Sequence, residues 1–156
     1  MSLIMAHKDG FLLHASGLIY RGFGLVFSGR SGSGKTTITG LSRTCPILSD
    51  DIVAIRRRGE TFLAFGTPFG GAEEIVHGGA QMKACFSLKK GKHPLLTALA
   101  SLSALKDLLK NILSLPQNGP TAGRLLETAR EFTRRIECYV LTFPPDPSFW
   151  KLIEAL

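Results

Sequence analysis

The 156-residue sequence predicts a single α/β domain. Three observations carry that reading. Short apolar, strand-like runs fill the first third of the chain, and helical leucine spacing appears in the second half. Between strand and helix patterns stands one glycine-rich octapeptide. The composition is 44% hydrophobic and 20% charged, which suits a chain with a real core and excludes a disordered tail.

The elements follow in order. Residues 1–9 read as a flexible start, and a second methionine at position 5 is compatible with residues 1–3 coming from a cloning vector. Residues 11–15 and 18–21 read as two short strands meeting near Ser16-Gly17, after which Gly22 and Gly24 turn the chain again. Residues 24–28 (GLVFS) are unbroken apolar sequence, the pattern of a strand covered on both faces. A short helix is expected over 35–42, then a strand from Ile47 that ends at Asp50-Asp51. Residues 52–57 and 61–65 form a hairpin across Arg58-Gly59-Glu60. Residues 66–79 read as a glycine-rich loop with Glu73, Glu74 and His77 solvated on it, and 82–88 as a strand.

Leucines at 95, 96, 99, 102, 105, 108, 109 and 113 predict one or two amphipathic helices over 95–113. Their stripe is a core face or a contact between copies, so a homo-oligomer is compatible with it. Asn118-Gly119-Pro120 breaks the chain before a helix over 121–135, and 138–143 is a last strand. Asp146 and Pro147 read as the cap and first position of a terminal helix.

Charge and cysteine usage narrow the function. Nineteen Lys and Arg stand against twelve Asp and Glu, a net charge of +7 that favours anionic partners. The basic runs Arg56-Arg57-Arg58 and Lys89-Lys90-Gly91-Lys92-His93 read as solvated turns, and they lack the interleaved aromatics of a nucleic-acid platform. No apolar run is long enough to span a bilayer, and the start lacks a secretory signal. Cys45, Cys85 and Cys138 are odd in number and lack metal-ligand spacing. They read as small thiols in a reducing cytosol, and the expected location is cytoplasmic.

Gly29-Arg30-Ser31-Gly32-Ser33-Gly34-Lys35-Thr36 fits G-x-x-x-x-G-K-[ST], with a buried strand before it and a helix after it. Glycines let the backbone curl so that successive N–H groups point into one concavity, to which the following helix adds its positive end. Lys35 brings a charge to the β- and γ-phosphates, and the Thr36 hydroxyl is placed to ligate Mg²⁺. The loop, with Thr37 after it, is therefore the expected phosphate site for a nucleotide with Mg²⁺. Asp50 and Asp51 follow Lys35 by 15 and 16 residues at a strand end. One of them is expected to bind Mg²⁺ while the other accepts a proton from an attacking hydroxyl; a solvated Asp-Asp turn is the competing reading. His14, read by itself, is a lone histidine at the end of a strand.

Taken together, residues 12–55 resemble the catalytic domain of the bacterial HPr kinase/phosphorylase family. The family shares a fold type with the ATP-dependent phosphoenolpyruvate carboxykinases. The resemblance lies in the order of His14-Ala15, the stretch 17–28, the loop 29–36, and Asp50-Asp51. It implies one domain over 1–156 with a mixed β-sheet and flanking helices, and ATP- and Mg²⁺-dependent phosphorylation of a serine or other hydroxyl on a protein or peptide. Lys35 and Thr36 would be the phosphate and metal contacts, Asp51 or Asp50 the base, and His14 a site residue near the transferred phosphate. Thr37 stands where bifunctional members carry Glu, and no arginine- and glycine-rich loop follows. That favours a relative acting on a peptide or another small protein over phosphorylase activity or HPr as substrate. A small-metabolite kinase and a non-catalytic nucleotide-binding regulator remain the alternatives.

Overall fold

The computed structural model describes residues 5, 8–69, 76 and 78–156. Strand β1 (Gly10–Tyr20) turns into β2 (Phe23–Ser28), and the glycine-rich loop leads from β2 to helix α1 (Lys35–Gly40). Strands β3 (Ile47–Ser49), β4 (Ile52–Arg58), β5 (Thr61–Gly66), β6 (Gly79–Lys90) and β7 (Leu95–Ala98) follow. Then come α2 (Ser101–Leu109), α3 (Gly119–Arg135), β8 (Glu137–Phe143), a 3₁₀ turn (Pro147–Phe149) and α4 (Trp150–Glu154). The result is a single mixed α/β domain with helices flanking one sheet. No helix among the described residues is long and apolar enough to cross a membrane.

The eight strands run in the order β2-β1-β4-β5-β6-β8-β7, with β3 beside β1. Strand β2 also pairs with β6, in parallel, which closes β2, β1, β4, β5 and β6 into a ring. Strand β8 is parallel to β6 as well, with Lys90 opposite Phe143, and β7 lies antiparallel outside β8. The carboxyl ends of β2, β6 and β8 therefore share one end of the sheet, where crevices form in open α/β folds.

Apolar residues pack on both faces. On one, Phe132 of α3 stands edge-on to Phe11 (5.6 Å between centroids) and Phe62 (5.2 Å). On the other, Phe27 stacks on Phe86 at 4.9 Å, beneath Ile38 of α1 and Ile153 of α4. The three cysteines are free thiols, as their spacing implied. Cys85 and Cys138 are register neighbours on β6 and β8, and a hydrogen bond between them, with burial, holds the Cys85 thiol well above its ordinary pKa.

The structure corrects the sequence reading in three places. Ser16-Gly17 does not divide two strands, because β1 runs through it. A Cβ on Gly17 would lie 3.0 Å from Val53 Cγ2 and 3.5 Å from Leu48 Cβ, so glycine here serves the close approach of β3 and β4, not a turn. Leu95–Ala98 is a strand and not the start of a helix. Its backbone satisfies the outer edge of β8, Leu99 N–H donates to the Cys138 carbonyl at 2.8 Å, and the helix begins only after the extended Ala100. The Asn118-Gly119-Pro120 break is itself the start of α3: the Asn118 side chain accepts from Thr121 N at 2.8 Å, with Pro120 in the first turn. Glu73, Glu74 and His77 lie outside the described residues.

These contacts set an order of sensitivities. Phe132→Ala removes the aromatic hub beneath β1 and β5 and is expected to cost about 3–5 kcal/mol of stability. Asn118→Ala removes one cap and is expected to cost about 1 kcal/mol. Denaturant unfolding of the two variants checks both.

Candidate functional site

The loop starts where β2 ends at the buried Ser28. Ser33 N–H donates to the Arg30 carbonyl at 3.0 Å and closes its first curl. Gly34, the last residue before α1, has φ +110°, and a Cβ there would stand 2.7 Å from Phe143 Cζ. Only glycine meets both conditions. Lys35 is buried, and its Nζ donates to the carbonyls of Gly29 (2.8 Å) and Arg30 (3.2 Å). Burial pulls its pKa below the usual lysine value, and the Asp51 carboxylate opposes that shift. Two of three ammonium donors are thus committed to the loop's own backbone.

The acidic pair fills the bend between β3 and β4. Ser49 Oγ accepts from the N–H groups of Asp51 (3.3 Å) and Ile52 (3.2 Å), and Ala15 N–H donates to the Asp51 carbonyl at 3.0 Å. Thr67 Oγ donates to the Ile52 carbonyl at 2.8 Å. In the β1–β4 register His14 stands opposite Ile52, and its N–H donates to the Asn111 carbonyl at 2.8 Å beyond the end of α2. Held on both sides, the His14 side chain places Nε2 3.1 Å from Asp51 Oδ1. Asp50 Oδ1 is buried without a protein partner among the described residues.

These residues meet in a pocket of about 340 Å³. Of the sequence-predicted set, His14, Asp50, Asp51, Ser31, Gly32, Gly34, Lys35, Thr36 and Thr37 line it. Gly29, Arg30 and Ser33 line instead an adjoining cleft of about 830 Å³, which shares Ser31, Gly32 and Lys90 with the pocket. Lys90 is the residue that sequence reasoning missed. Its run looked like a solvated turn, and only the parallel pairing of β6 with β2 carries it to the loop. No local pattern signals that pairing.

The donor set suits a hard divalent cation that completes its coordination with phosphate and water. Among the oxygens lining the pocket are the Thr36 hydroxyl and the Asp50 and Asp51 carboxylates, of which Asp50 Oδ1 has no protein partner among the described residues. Among the described residues, no group of three or more His, Cys, Asp or Glu side chains is arranged to hold a metal by itself.

No family model matches this chain, and no curated protein sequence matches it. Among solved structures it is similar to the HPr(Ser) kinase/phosphatase from Coxiella burnetii, at 14% identity over 93% of this chain and 92% of that one, with a TM-score of 0.45. What the pocket can do chemically follows from its own residues.

The loop's dependence on Gly34 can be tested directly. Gly34→Ala combines a left-handed backbone strain of about 1–2 kcal/mol with the Phe143 clash, and is expected to lower stability by at least that strain. Adding Phe143→Leu removes the clash and not the strain, so partial recovery is expected. Denaturant unfolding of the two variants measures both.

Proposed function

We propose that this chain is an ATP- and Mg²⁺-dependent phosphotransferase that acts on a hydroxyl, that of serine, in a protein or peptide. One observation carries the reading: a single pocket gathers a loop-anchored lysine, a threonine hydroxyl and two carboxylates, one of them held at 3.1 Å by a histidine. The motif order that resembles HPr kinases supports it.

In this reading the phosphates lie along the loop, where backbone N–H groups and Lys35 meet their charge without reorganising. Burial has already stripped water from the Lys35 ammonium, which strengthens its pull on a phosphate oxygen. Thr36 and Asp50 would hold Mg²⁺, which when bound would screen the charge of the phosphate oxygens. Asp51 takes the proton of the attacking hydroxyl. His14 Nε2–H donating to Oδ1 fixes the carboxylate and leaves Oδ2 to accept that proton. With the acceptor oxygen in line with the terminal phosphoryl group, positioning and charge stabilisation supply most of the rate.

The two roles separate experimentally. Lys35→Ala is expected to lose both nucleotide binding and phosphotransfer. Asp51→Asn is expected to keep nucleotide affinity and lose about 10²–10⁴ in phosphotransfer rate, the usual contribution of a positioned base. Binding is read by titration with an ATP analogue and transfer by labelled phosphate on a serine peptide pool. Full transfer by Asp51→Asn overturns the assignment of the base.

A further inference from the structure

We propose that the 830 Å³ cleft beside the loop is the docking site for an acidic peptide segment that carries the acceptor hydroxyl. This rests on the reading that the loop holds a nucleoside triphosphate. The cleft is bounded by the first half of the loop, the end of β6 and the end of α2. Four exposed cations line it: Arg30 from the loop, Lys89 and Lys90 from β6, and Lys110 just after α2. The acid among its lining residues, Asp107, already pairs with Lys110 at 3.0 Å. Among the described residues no carboxylate pairs with Arg30, Lys89 or Lys90, so the surplus positive charge is open to a partner.

Position assigns this surface to the acceptor. Lys35 Nζ sits on the Gly29 and Arg30 carbonyls, which puts the charge that meets a terminal phosphate at the first half of the loop. That half lines the cleft, whereas Lys35 itself, with Thr36, Asp50 and Asp51, lines only the adjoining smaller pocket. A phosphate chain that ends on Lys35 and Asp51 therefore has its terminal group in the smaller pocket, beside the junction with the cleft at Ser31 and Gly32. The two cavities meet at Ser31, Gly32 and Lys90, so a segment lying in the cleft reaches the Asp51 carboxylate past Lys90. Asn111 lines the cleft and its carbonyl also holds the His14 N–H, so the cleft wall and the His14–Asp51 pair are parts of one construction.

The spread of charge favours a peptide. A compact anion calls for donors that converge on one point, whereas these cations come from three separate elements. Several carboxylates along an extended chain match them, with Leu88 and Val140 giving apolar contact between.

The test uses fluorescein-labelled nonapeptides with a central serine and acidic, neutral or basic flanks. Binding is read by anisotropy, with and without a non-hydrolysable ATP analogue and Mg²⁺. The acidic peptide is expected to bind about tenfold tighter than the neutral one, and Lys89→Glu/Lys110→Glu is expected to abolish that preference while the analogue still binds within about twofold. Arg56→Glu/Arg58→Glu makes the same change in net charge at the far end of β4, about 20 Å from the pocket at 3.3 Å per residue, and is expected to leave the preference intact. Circular dichroism confirms that each variant is folded.

The proposal is overturned if acidic and neutral peptides bind alike, or if the hairpin variant loses as much as the cleft variant. It is also overturned if free phosphoserine displaces the acidic peptide as well as unlabelled peptide does. Failure of the wild-type chain to bind the analogue sinks the nucleotide reading instead, and peptide binding without nucleotide still reports on the cleft.

Discussion

The site depends on the pairing of strand β1. Its first half lies against β4, its second half against β2 and β3, and the segment after α2 bonds to it at Leu12, Leu13 and His14. Backbone hydrogen bonds thus fix His14 between Asp51 and Asn111, residues far from it in sequence. A slip of one residue would turn His14 to the other face of the sheet and separate it from the carboxylate. Gly17 is part of the same constraint, since a side chain there would push against Val53 and Leu48 and disturb the register that His14 requires.

Around that register the charges are sorted. Carboxylates and His14 gather at the β1–β4 side of the loop, while Arg30, Lys89, Lys90 and the Asp107-paired Lys110 gather at the side formed by the ends of β6 and α2. Lys35 lies between, buried and bonded to loop carbonyls. A buried ammonium is costly unless its donors are satisfied, and the Gly29 and Arg30 carbonyls satisfy two of them. Placing charge in this way makes the arrangement preorganised, so it need not form during a reaction.

The parts of this design that were legible in the sequence are those whose causes are local. The loop needs glycines, a lysine and a threonine within eight residues, and the following helix begins at Lys35. The β4–β5 hairpin and the Asp146 cap are also written in neighbouring residues. Non-local pairing was not legible. Gly17 looks like a turn because the chains that press on it arrive from later in the sequence. Leu95 and Leu96 fit a helical stripe, and only the open edge of β8 makes them a strand. Lys90 reaches the site through the parallel pairing of β6 with β2. The approach of His14 to Asp51 was suggested by motif order, since a histidine at a strand end carries no such information by itself.

The closed ring of five strands bears on how the protein behaves at high concentration. Strands with one unpaired side are templates for edge-to-edge association between copies. Among the described strands, only β3, of three residues, and β7, of four, have a single neighbour in the sheet. Both are shorter than the six- or seven-residue segments that sustain cross-β stacking. The pairing of β2 with β6 that brings the glycine-rich loop and Lys90 together also keeps β2, of six residues, from standing at an edge of the sheet.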